Sequence, residues 1–153
     1  MTIKLKEDRL EAITRNVFEV TDNMRSYKAT TLVGVKLIDD ESVVACEKIT
    51  EYTDIYEMLE TSSHHAEKFE GYDLIAVLTA GWAAPANDDE HSDLAPSEHP
   101  ERKRVKLALI AYTAEQTASI MSFTGDPEYI YSSNHGKGQL QEAFEEMLNG
   151  IGW

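Results

Sequence analysis

One cysteine and four prolines in 153 residues leave little to cross-link or stiffen this chain. With Cys46 alone an internal disulfide is excluded, so the fold has to rest on an apolar core. Cys46 lies among apolar residues in a predicted strand, which points to a small buried side chain rather than a nucleophile. Basic residues are also scarce: 14 Lys and Arg stand against 28 Asp and Glu, a formal net charge of −14. That imbalance repels nucleic acid and anionic membranes at long range, so direct binding to either is not expected. It is compatible with high solubility, a cationic partner or mimicry of a polyanion. No stretch approaches the length of a membrane span. The opening Met1-Thr2-Ile3-Lys4-Leu5-Lys6-Glu7-Asp8 leads into no apolar run, so no signal peptide is read and a cytoplasmic location is expected. Walker, Rossmann and cysteine-cluster motifs are missing, as is the Gly-x-Ser-x-Gly elbow of a serine nucleophile.

What is present is an ordinary apolar share, 42%, in a length that suits one domain, residues 1–153. From Asp8 to about Met24, Leu10, Ile13, Val17, Val20 and Met24 recur at steps of three and four, which predicts an amphipathic helix. Asp8 with Glu11 resembles an acidic capping pair at its start. Thr30–Ile38 and Ser42–Ile49 are β-branched and apolar and predict a hairpin across Asp39-Asp40-Glu41. Gly34 inside the first of these strands suggests a bulge or the close approach of another backbone. A second helix is predicted over 54–70, capped by Thr53 and stopped by Gly71, with His64 and His65 in its later turns.

Two central strands follow, Leu74–Ala80 and Val105–Tyr112. Thr113-Ala114-Glu115-Gln116 turns the chain into a strand over 117–123, and Tyr129-Ile130-Tyr131 reads as a short extra one. The last helix is predicted over 139–149, with Leu140, Ala143, Phe144, Met147 and Leu148 inward. The order α-β-β-α-β-(long loop)-β-β-α predicts an α+β fold: a single, mostly antiparallel sheet of about five strands with three helices on it. Leu74–Ala80 is continuously apolar, as a strand covered on both faces should be.

The crossing between the central strands, residues 81–104, is the candidate site. Loops of this length are uncommon in compact domains and are usually functional or disordered. It opens with Gly81-Trp82-Ala83-Ala84-Pro85, passes an acidic tip from Asn87 to Asp93, and returns through Ala95-Pro96-Ser97-Glu98-His99-Pro100-Glu101-Arg102-Lys103-Arg104. Arg102, Lys103, Arg104 and Lys106 are four of the 14 basic residues within five positions. Arginine forks bind carboxylate or phosphate in pairs of hydrogen bonds, Ser97 can add a hydroxyl, and His99 can move a proton. The simpler account is that these charges guard a strand edge or pair with Asp88, Asp89 or Glu101. Asp89, His91, Asp93 and His99 are crowded but lack any familiar zinc spacing, so no metal and no cofactor are expected.

Gly81-Trp82-Ala83-Ala84-Pro85 followed by Pro96-Ser97-x-His99-Pro100-x-Arg102-x-Arg104-Val105, each beside an apolar strand, resembles a family of small uncharacterised proteins of actinobacteria and their phages. The resemblance covers about residues 73–123 and brings no stated activity. It implies a role beyond connection for Trp82, Pro96, Ser97, His99, Arg102 and Arg104, and leaves out the acidic segment Asp88–Asp93. Two functional classes are open. The first is an acidic binding or interaction module, such as a phage accessory protein acting on a host component in the host cytoplasm. The second is a small enzyme or ligand-binding domain for a phosphate- or carboxylate-bearing compound. Trp82, Ser97, His99, Arg102 and Arg104 are the expected contacts to a protein partner or small anionic ligand, and a homo-oligomer stays open.

Overall fold

The computed structural model describes residues 5–24, 29–38, 44–83, 93–133 and 138–153. The apolar run that dominates the sequence becomes strand β3, Leu74–Ala83, which follows β1 (Thr30–Leu37) and β2 (Val44–Tyr52) along the chain. Strand β3 pairs antiparallel with β4, Lys103–Thr113, in a register that sets Val77 opposite Leu109 and Ala76 opposite Ile110. Strands β5 (Gln116–Phe123) and β6 (Ile130–Ser133) complete one antiparallel sheet in the order β2-β1-β3-β4-β5-β6. The fold is α+β, with six strands where about five were expected. The sixth is the short extra strand, shifted to Ile130–Ser133, where Ile130 pairs with Met121.

Helices cover both faces. Helix α1, Glu7–Val20, lies on one; α2, Ile55–Ser62, and α3, Gln139–Gly150, share the other. Alternation along β3 explains why one strand can serve both: Leu74, Ala76 and Leu78 join the α1 core, whereas Ile75 and Val77 join the α2–α3 core. All five are fully buried, and each large one contributes about 1.5–3 kcal/mol by leaving water.

Several local expectations shift, each for a physical reason. Helix α1 stops at Val20, and the chain closes with a 3-10 turn, Asp22–Met24. Thr21 ends the helix by donating its hydroxyl back to the Val17 carbonyl. Asp8 is inside the first turn rather than at the cap, where Lys6 stands, and accepts from the Arg9 N–H at 2.9 Å. Asp54, not Thr53, caps α2 by accepting from the N–H groups of Tyr56 and Glu57. The run Thr61-Ser62-Ser63-His64-His65 holds weak helix formers, and Ser63 donates its hydroxyl to the Glu60 carbonyl. Helix α2 therefore ends eight residues early, and a separate 3-10 turn, Ala66–Phe69, carries Phe69 into the core. Gly34 does meet a close neighbour, but it is the Tyr72 ring rather than a backbone. The bulge lies one step away, between Leu32 and Val33. The turn Asp39-Asp40-Glu41 and residues 134–137 are outside the described residues.

Candidate functional site

Gly81-Trp82-Ala83 and Lys103-Arg104 read locally as loop, yet they extend the β3–β4 ladder. Gly81 pairs with Val105, Trp82 with Arg104 and Ala83 with Lys103. Ladder hydrogen bonds satisfy these backbone groups and outweigh the poor strand propensity of glycine and alanine. The ladder thus takes up both ends of the crossing and leaves 84–102 between the two strands. Directly opposite residues in an antiparallel pair share a face, so the indole of Trp82 and the side chain of Arg104 are neighbours by construction. The Arg104 guanidinium carbon stands 4.2 Å from the Trp82 ring centroid, and that of Arg102 stands 5.0 Å from it. Two cationic planes are held against one π system, an attraction of electrostatic origin.

The return of the crossing is tied down by His99. A 3-10 turn, Pro96–Glu98, packs against β3 and delivers His99 into a site where it is 3% exposed. His99 Nδ1 accepts from the Glu101 N–H at 2.9 Å, so the neutral ring carries its proton on Nε2. Its carbonyl accepts from both the backbone N–H and Nη1 of Arg102, at 3.1 and 3.2 Å. His99 is therefore the brace that aims Arg102 at the indole. Glu101 joins through its backbone N–H to that brace. Asp88, Asp89 and His91, the other candidate partners and ligands, lie outside the described residues.

Of the five candidate site residues, Trp82, His99, Arg102 and Arg104 are brought together. Ser97 is exposed on the 3-10 turn, whereas His99 is buried with its Nδ1 on the Glu101 N–H. Among the described residues no group of three or more His, Cys, Asp or Glu gathers as a metal site. Asp93 is exposed. His65 Nδ1 lies 3.2 Å from Glu67 on the surface, in the turn after α2 rather than within a helix.

One feature beside the cluster was not legible locally. Lys106, two residues beyond Arg104 on β4, holds Asp22 at 2.9 Å and lines a groove of about 320 Å³ with Ser122, Phe123 and Thr124. The alternation Arg104-x-Lys106 within a strand carries the signal that both share a face. Away from the site, Cys46 is half-buried on β2 rather than fully enclosed, and burial pushes its thiol up to about 11. No family model, curated protein or solved structure matches the chain. No helix among the described residues is long and apolar enough to cross a membrane.

Proposed function

We propose that the protein is a small acidic binding module that engages its partner through Trp82, Arg102 and Arg104. One observation carries this reading: two guanidinium groups are held over a single indole at the end of the β3–β4 hairpin. An arginine ordered before binding loses less side-chain entropy on contact, and its planar fork fits a carboxylate or phosphate group of the partner. His99 serves as the internal brace and Ser97 as a rim hydroxyl. Binding is favoured over catalysis because His99 has its Nδ1 engaged by backbone and is nearly closed to solvent. The resemblance to actinobacterial and phage proteins adds the finer reading, an accessory protein acting on a host component in the host cytoplasm.

The test compares capture of a partner from host lysate by wild type and by the Arg102→Gln/Arg104→Gln variant. Capture by the wild type, lost in a variant whose melting temperature falls by no more than a few degrees, is expected. Equal capture by both would remove the cluster from the interface. The second reading, a ligand-binding domain for a phosphate- or carboxylate-bearing compound, is favoured by the groove beside Lys106. A thermal-shift screen of nucleotides and metals bears on that reading directly.

A further inference from the structure

The face of the sheet that α1 covers does not end where α1 ends. Ala108 and Ile110 on β4, with Ala118 and Ile120 on β5, pack under that helix. By strand alternation Lys106 and Arg104 continue the same face toward the end of the hairpin where the crossing joins β3 and β4. Lys106 stands between two small residues, Ala80 across β3 and Ser122 across β5. The small Ser122 beside a long side chain leaves a hollow on the β5 side, and the groove of about 320 Å³ there has Lys106, Ser122, Phe123 and Thr124 as its walls. Thr124 is fixed at its rim, since its N–H donates to the Arg104 carbonyl at 3.0 Å. Side chains two apart on a strand lie about 7 Å from one another, so Arg104 is the next residue on this face, with its guanidinium against the Trp82 ring.

The groove therefore joins an ammonium and two hydroxyls, with the Arg104 guanidinium next along the strand, in a chain of net charge −14. Its chemistry is displayed by the molecule itself. Asp22, on the turn after α1, sets a carboxylate oxygen 2.9 Å from Lys106 Nζ, and both side chains are open to solvent, at 64% and 34%. An ion pair so exposed is worth little and exchanges readily. The Ser122 hydroxyl can rotate to donate to an anion, and that of Thr124, which donates to the Arg104 carbonyl at 3.4 Å, can do so by giving up that contact.

We infer that this groove is an oxyanion site, which takes the phosphate or carboxylate group of a small ligand between Lys106, Ser122 and Thr124, with Arg104 alongside. Asp22 is its internal competitor, displaced when the ligand enters. The inference rests on the reading above only in treating the groove and the arginine cluster as one continuous surface.

The experiment is an NMR titration of the 15N-labelled full chain with inorganic phosphate and, separately, with acetate. Ionic strength is held constant with chloride. Saturable shifts at the amides of Lys106, Ser122 and Thr124 are expected with at least one probe, and the tighter of the two identifies the ligand class. Asp22→Asn should tighten binding roughly two- to fivefold, the value of an exposed ion pair converted to affinity. Lys106→Gln should abolish saturation, and Lys106→Arg should retain it. If Lys106→Gln does not fold, Ser122→Ala takes its place and should weaken the same shifts. Shifts that match chloride alone, an Asp22→Asn protein that binds no tighter, or a Lys106→Gln protein that titrates like wild type would each overturn the site. Failure here together with arginine-dependent partner capture would leave the binding-module reading standing. Saturable phosphate binding with arginine-independent capture would remove that reading and keep the groove.

Discussion

Trp82 on β3 and Arg104 on β4 are a directly opposed cross-strand pair, with the guanidinium carbon 4.2 Å from the centre of the indole. The contact is fixed by the register of the sheet, so it does not depend on the conformation of the crossing above it. Arg102 reaches the same ring from outside the ladder, held by the His99 carbonyl.

Replacing both arginines with glutamine should therefore cost little stability. A cation–π contact near the surface is worth about 0.5–1 kcal/mol, which corresponds to a fall of a few degrees in Tm. Affinity for the captured partner should fall about ten- to 150-fold, since a desolvated charge-assisted hydrogen bond contributes about 1.5–3 kcal/mol. The Lys pair should also bind poorly, because lysine keeps the charge and loses the fork. Calorimetric affinity beside a melting curve measures both, and unchanged affinity in the Gln pair would send the search to the acidic surface.

The central strands should tolerate no charge. Val77 is fully buried between Leu32 and Leu109 in the sheet and faces the α2–α3 core. Val77→Asp leaves an unpaired carboxylate there, a cost of several kcal/mol or more, and should unfold the domain. Leu109→Ala should lose about 2–5 kcal/mol by opening a cavity. A soluble Val77→Asp protein with wild-type Tm would contradict the placement of β3.

Gly34 is required by the ring of Tyr72. A Cβ at this position would stand 2.5 Å from three ring carbons, inside any real contact. The ring is held there by the Tyr72 hydroxyl, which donates to Glu47 at 2.8 Å, and by Lys36, whose Nζ is 5.5 Å from the ring centroid. Gly34→Ala should cost about 1–3 kcal/mol as an overpacking change. In a Tyr72→Ala background the same substitution should cost much less, and equal costs in denaturant unfolding of both would exonerate the ring.

Cys46 should be a slow thiol. Its pKa is raised to about 11 by burial, against about 8.5 for a free cysteine, so the neutral form prevails in the folded chain at physiological pH. Alkylation by iodoacetamide at pH 8 should be far slower in the folded protein than in urea. The sign for stability follows. Any contribution from keeping this thiol neutral is present below pH of about 8.5 and is lost as pH climbs toward 11. Equal alkylation rates in the folded and unfolded chain would show Cys46 to be exposed.

Much of the fold was legible because pattern and burial coincide. The unbroken apolar run from Leu74 demands cover on both faces, and the sheet supplies it with α1 on one side and α2 and α3 on the other. The steps of three and four through Leu10, Ile13 and Val17 place all three in the core. Boundaries were less legible, since they depend on which group wins a local competition. Asp54 rather than Thr53 caps α2, and the hydroxyls after Thr61 end it.

The candidate site divides in the same way. Composition and chain order by themselves determined that the basic residues cluster after the crossing, that Trp82 precedes it, and that a core strand flanks each. Only the tertiary structure decided that Trp82 faces Arg104, that His99 is buried as a brace while Ser97 is left exposed, and that Asp22 meets Lys106 across 84 positions. The reason is physical. Periodicity records how each segment divides its apolar and polar sides, which is a local property of the chain. Register and helix docking are set by how those sides fit one another, and no single segment carries that information.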